Sequence, residues 1–329
     1  MRQVPVRVSF RICDLDLKRV KPVQFFPVMG MPAIRLFVRP AALLTLFCVF
    51  WLAGCGDLFN NDDDTGKKNF AVIVGISDYQ SSELNLRWAE EDALDLYDTL
   101  RASKAWETDN ITLLTNGSAT KDSIRAAIAG LAKRVSADDQ VVFFFSGRGS
   151  YGPDQPPFDE GDGLEEYLVP FDGLTTSPAK DLSDDAIEVL LSALPTNNVV
   201  VILDAGFSGA GSRSGNPSEK EKCLLRAGSG KAVAPQSVDG MSHELARPGY
   251  LFISAAQNGV APGESSQLRN GIFTHYFVEG LRGAANPGRK TTSAQQAFEY
   301  AAPRTSANDS VQSPQLIDKR GKKFVLNWH

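Results

Sequence analysis

Cysteine and histidine are scarce in this chain. Its 329 residues include four Cys (Cys13, Cys48, Cys55 and Cys223) and three His (His243, His275 and His329). Cys13 and Cys48 lie in the first 54 residues; with that segment removed and Cys55 lipidated, as argued below, no intramolecular disulfide and no Cys/His zinc site can form. A membrane-spanning run is also missing. The apolar run Ala41–Leu52 has 12 residues, whereas a spanning helix needs about 20. There is no basic excess: 34 Lys and Arg stand against 39 Asp and Glu, a net charge of −5, which argues against nucleic acid as a partner. No internal repeat is visible. What remains is 43% hydrophobic and 22% charged, as in an ordinary globular protein. The length would allow two domains.

The first 66 residues differ from the rest. Arg35 and Arg39 precede Ala41–Leu52, and that run ends in Leu52-Ala53-Gly54-Cys55. A positive segment, a short apolar segment and small residues describe an export signal. The Leu-Ala-Gly-Cys ending resembles a bacterial lipobox. The resemblance implies removal of residues 1–54 and lipid on Cys55. A plain transmembrane anchor is the alternative, and the small residues beside Cys55 weigh against it. Residues 1–30 fit no signal peptide, whereas a start at Met31 leaves 24 residues before Cys55. They are therefore read as an extension ahead of the true start, and 31–54 as the signal. Loss of 1–54 leaves 26 basic and 37 acidic side chains, formally −11, with Cys223 as the single thiol besides Cys55. Such a domain gains nothing from anionic headgroups, so the lipid must hold it at the membrane. Residues 55–68 read as a solvated tether, and the expected location is exported and lipid-anchored to a bacterial membrane.

From residue 69 to 329 the chain alternates strand and helix signals. Strands are expected near 70–76, 110–115, 140–146, 198–204, 249–255 and 314–317. Helices are expected near 86–103, 120–134, 183–193, 272–282 and 293–301, and Thr120 and Ser183 stand where caps belong. This order implies right-handed βαβ units and a mainly parallel sheet covered by helices on both faces. Gly209–Pro248 breaks the pattern: it is rich in Gly, Ser, Lys and Pro, and Cys223-Leu-Leu225 is its one apolar cluster. A loop of this length is either functional or disordered.

Two apolar runs end in Gly-bounded turns: Val141–Phe145 before Ser146-Gly-Arg-Gly149, and Val199–Leu203 before Asp204-Ala-Gly-Phe-Ser-Gly209. Together they resemble the caspase/metacaspase family of cysteine peptidases, in which the first turn supplies a His base and the second a Cys thiol. Phe70–Tyr79, Trp88–Leu100, Gly161–Asp172, Leu182–Ala186, Ser254–Gln257 and Gly271–Thr274 fit the same family in the same order. The resemblance implies a caspase-like three-layer sandwich around a six-stranded sheet. The His position is Arg148 and the Cys position is Gly206. Gly206 offers no nucleophile, and a guanidinium neither loses its proton nor accepts a hydrogen bond. A Cys223/His243 pair or nearby Ser146 and Ser208 are the substitutes on offer, and nothing in the sequence fixes their geometry.

The resemblance also places acidic residues of an Arg/Lys pocket at Asp92 and Asp204. Asp92 has a competing reading as a solvated helix position among Glu90, Glu91, Asp95 and Asp98. Asp184 and Asp185 resemble part of a metacaspase calcium site, although acids at a helix start explain both without metal; no cofactor is expected. Gly209–Pro248 corresponds to the family's inter-subunit linker or is an inert insertion. The expected molecule is a catalytically silent caspase-like domain that binds a protein or peptide, with basic residues as the class favoured by the pocket. An active endopeptidase using other groups and a scaffold with a vestigial pocket are the alternatives. Two arrangements are expected at the site: Arg148 paired with Asp204 as a plug, or an open pocket faced by Asp92 and Asp204.

Overall fold

The computed structural model describes residues 66–156, 158, 163–207, 222–224 and 241–329. The lipobox, Cys55, Ser208 and most of the 209–248 stretch lie outside the described residues. Six strands form the central sheet: β1 (Asn69–Gly75), β2 (Ile111–Thr115), β3 (Gln140–Ser146), β7 (Val199–Asp204), β9 (Tyr250–Ser254) and β13 (Gln315–Asp318). Their order is β13-β9-β7-β3-β1-β2. All neighbours pair in parallel except β13, which runs antiparallel to β9. The expected caspase-like α/β architecture is present.

The strand sequences explain why the sheet is covered twice. Phe143 and Phe145 pack with Val72, Val74, Val201 and Leu203 on one face, while Phe144 packs with Ile73, Val142 and Ile202 on the other. A strand that is apolar at every position has no face to give to water. The first face is closed by α2 (Lys121–Leu131) and α3 (Asp184–Ser192), through Ile124, Ile128, Ile187 and Leu191. The second is closed by α1 (Ala89–Ala102), α5 (Ile272–Glu279) and α6 (Ala294–Asn308), through Leu96, Phe273, Phe277 and Ala297. Thr120 and Ser183 cap α2 and α3 as expected, their side-chain oxygens accepting from Ser123 and Ala186.

Helix α6 runs to Asn308, past the expected end near 301, with Pro303 inside it. Helix α5 stops at Glu279, and the next turn widens to a π-turn over Gly280–Ala284. A second sheet, absent from the sequence-based expectation, has the order β6-β5-β4-β8. Its strands are β4 (Gly149–Pro153), β5 (Leu164–Leu168), β6 (Leu182–Ser183) and β8 (Cys223–Leu224). Strand β8 and a short helix, α4 (Ser242–Leu245), both fall in the stretch expected to be a loop.

Candidate functional site

The parallel strands end at one edge of the sheet, where open α/β folds place their sites. Arg148 follows β3 and Gly206 follows β7. The amides of Gly149 and Gly206 converge on one oxygen, the Lys222 carbonyl, at 3.0 and 2.9 Å. The two turns singled out in the sequence are therefore side by side. Two N–H groups aimed at one carbonyl make the geometry of an oxyanion hole.

Lys222 lies across this cradle. Its amide donates to the Pro262 carbonyl at 3.0 Å, and the next two residues, Cys223 and Leu224, pair in parallel with Gly149 and Ser150. The side chain turns inward and is fully buried. Its Nζ stands 2.6 Å from Asp92 Oδ2, 3.0 Å from Asp204 Oδ1 and 2.9 Å from Ser146 Oγ. Ser146 Oγ donates to Asp92 at 2.7 Å, the Gly271 amide donates to Asp92 Oδ1 at 2.8 Å, and Thr274 donates to Asp204. Asp92 and Asp204 are brought together as expected, but around an ammonium from the chain itself.

Several expectations are corrected here. Asp92 is not a solvated helix position; it is fully buried. Helix α1 packs so tightly on β1 that Gly75 has no room for a Cβ against Ala89 and Ala93, and this approach carries Asp92 over the strand ends. Arg148 does not pair with Asp204. Its Nε donates to the Leu84 carbonyl and its Nη1 to the Cys223 carbonyl, both at 2.8 Å, while its backbone N–H donates to Tyr79 Oη at 2.7 Å. The pocket is not open, because Lys222 fills it. Asp184 and Asp185 start α3, with the Asp185 amide donating to Asp184 Oδ1 at 3.2 Å. Among the described residues no group of three His, Cys, Asp or Glu is placed to hold a metal ion. His275 sits edge-on to Tyr276 in α5, and His329 is hydrogen-bonded to Thr292.

Sequence reasoning missed Lys222 and Glu264. Glu264 is buried and accepts from the amides of Arg87 and Trp88 at 2.9 and 2.7 Å, so a carboxylate from a short strand (Glu264–Ser265) far along the chain secures the start of α1. Burial would push the Lys222 amine down, but Asp204 and Asp92, with Glu264 behind them, hold it well above the ordinary lysine value. Burial pushes Asp204 up and Asp92 adds to this, while Lys222 partly offsets both. One ammonium shared by two acids accounts for both directions.

The caspase-domain family model matches residues 68–325. The chain belongs to the caspase-domain family. It is 32% identical to Metacaspase-3 of Arabidopsis thaliana over 292 residues, 79% of this chain and 76% of that protein. It is also 30% identical over 144 residues to Metacaspase III c of Phaeodactylum tricornutum, covering 42% of each. With Metacaspase-1 of Candida glabrata the identity is 26%, and the match spans 40% of that protein. The chain thus spans less than half the length of the last two relatives. The crystal structure of a Geobacter sulfurreducens protein aligns with a TM-score of 0.52 at 21% identity, over 76% of this chain and 92% of that one, a likeness of fold. In this caspase-domain protein, Arg148 follows β3 and Gly206 follows β7 at the same edge of the sheet.

Proposed function

We propose that this caspase-domain protein is catalytically silent and acts by holding a basic peptide segment rather than cutting it, while a lipid on Cys55 keeps it on a bacterial membrane. The observation that carries this reading is the pairing of an absent dyad with an intact pocket. Neither Gly206 nor Arg148 can attack or take a proton, yet Asp92, Asp204, Ser146 and Thr274 still enclose an ammonium that both acids pair with. Two buried acids without a role would be costly to keep. A domain that holds Lys222 in its own pocket acts as a latched receptor, opened by a partner that displaces the segment.

The test is turnover and occupancy on the purified full chain. Peptides containing Arg or Lys are expected to show no hydrolysis above buffer. Turnover that survives Cys223→Ala and thiol-blocking reagents would mean that other groups do chemistry here. For the anchor, mass spectrometry of the mature N-terminus is expected to find Cys55 first and acylated; an unmodified Cys55 within an intact leader rules that part out.

A further inference from the structure

Arg148 and Gly206 each contact the segment that crosses the strand ends, one through its guanidinium and the other through its backbone amide. Arg148 reaches past Lys222 and donates to the carbonyl of the following residue, Cys223, at 2.8 Å. The guanidinium is itself fixed, because its Nε is held by the Leu84 carbonyl and its backbone by Tyr79. Gly206 lends its amide to the Lys222 carbonyl, and its missing side chain is a requirement: a Cβ there would come within 2.8 Å of Ala261 Cα and 3.1 Å of Pro262 Cδ. Pro262 in turn accepts the Lys222 amide. The segment is therefore gripped on both sides of the Lys222–Cys223 peptide bond.

Resting on the reading of this site as a peptide holder, we propose that Arg148 is a positioning residue that selects an uncut peptide. The ligand class is an extended chain in which a basic residue is followed by at least two more residues, with the guanidinium gripping the first carbonyl beyond the basic one. A fragment that stops at the basic residue lacks that carbonyl and forfeits a charge-assisted hydrogen bond. Peptidases release products that end at this position; this site discriminates against them.

The experiment uses the full chain carrying Lys222→Ala, which vacates the side-chain pocket so that an added peptide carrying a lysine competes with the chain's own segment for the cradle, and two labelled peptides. One has the sequence of residues 219–226 and the other stops at the lysine as an amide. The longer peptide is expected to bind about tenfold tighter or more, the factor one hydrogen bond to a charged group supplies. Adding Arg148→Ala should remove that preference while leaving the shorter peptide's affinity unchanged. Equal binding of both peptides before and after overturns the clamp and leaves the pocket reading intact. Binding of neither, by a folded variant, overturns both. A purely structural role for Arg148 would weaken the two peptides alike. If Lys222→Ala does not fold, the wild-type background decides: Arg148→Ala should speed alkylation of Cys223, identified by mass spectrometry, by about tenfold or more. An unchanged rate overturns the proposal.

Discussion

Lys222 is the residue on which the site turns. Removing it strands Asp92 and Asp204, both fully buried, without a counter-charge. Lys222→Met is therefore expected to cost about 3 to 5 kcal/mol in chemical denaturation. Asp204→Asn leaves Asp92 opposite the ammonium and is expected to cost less, about 1 to 3 kcal/mol. A loss under 1 kcal/mol for Lys222→Met would mean that water reaches the pocket. The pH dependence has a definite sign. The folded-state amine lies above its ordinary value, so its contribution is complete below about pH 10 and is lost as pH rises through the folded-state value. Wild-type stability relative to Lys222→Met is expected to fall above about pH 10. Arg148 and Gly206 also belong to this scale. Arg148→His with Gly206→Cys is expected to yield no hydrolysis of basic peptides. The new Cβ at residue 206 meets Ala261 and Pro262, and Lys222 still occupies the pocket. Turnover by that double variant would show that the 261–262 loop yields and the segment leaves.

At the scale of elements, the site is an agreement among pieces far apart in the chain. Strands β3 and β7 deliver Ser146 and Asp204, α1 delivers Asp92, and the β11 strand (Asn270–Gly271) delivers a backbone amide. Gly271 admits the cluster because a Cβ there would meet Asp204 Oδ2 and Lys222 Nζ at 2.5 Å. Gly271→Ala should push the ammonium out of place, and faster labelling of Cys223 is the readout. Glu264 is the other support. Its carboxylate takes two amides at the start of α1, so Glu264→Ala should cost about 2 to 3 kcal/mol and also raise the labelling rate, since α1 carries Asp92. A drop in stability with labelling unchanged would separate the helix start from the pocket.

For the whole molecule, the lysine's burial makes a prediction about proteolysis. Trypsin needs the lysine side chain and its carbonyl, and Lys222 has both engaged within the fold. Limited digestion of the native chain is expected to leave the Lys222–Cys223 bond intact, although that bond lies in a stretch of loop-like composition. Early cutting there would show that the segment leaves the cradle readily. No helix among the described residues is long and apolar enough to cross a membrane.

The fold was legible in the order of residues. Doubly apolar strands such as Val141–Phe145, capped helices behind them and Gly-bounded turns at the strand ends admit few arrangements other than a two-sided parallel sheet. It also singled out Arg148, Gly206, Asp92 and Asp204, which the structure gathers at one edge of the sheet, because those residues sit inside local patterns of strand, helix and turn. Tertiary structure alone decided what the acids face. Nothing local distinguishes Lys222 from Lys220 or Lys231 in a stretch rich in Lys, Gly and Ser. Its role depends on Asp92, 130 positions away, and on a cradle of backbone amides, which carries no side-chain signature. The Arg148–Asp204 pairing failed as an expectation for the same reason. Opposite charges at neighbouring strand ends attract, but the buried acids took the cation whose chain could also satisfy the amides of Gly149 and Gly206.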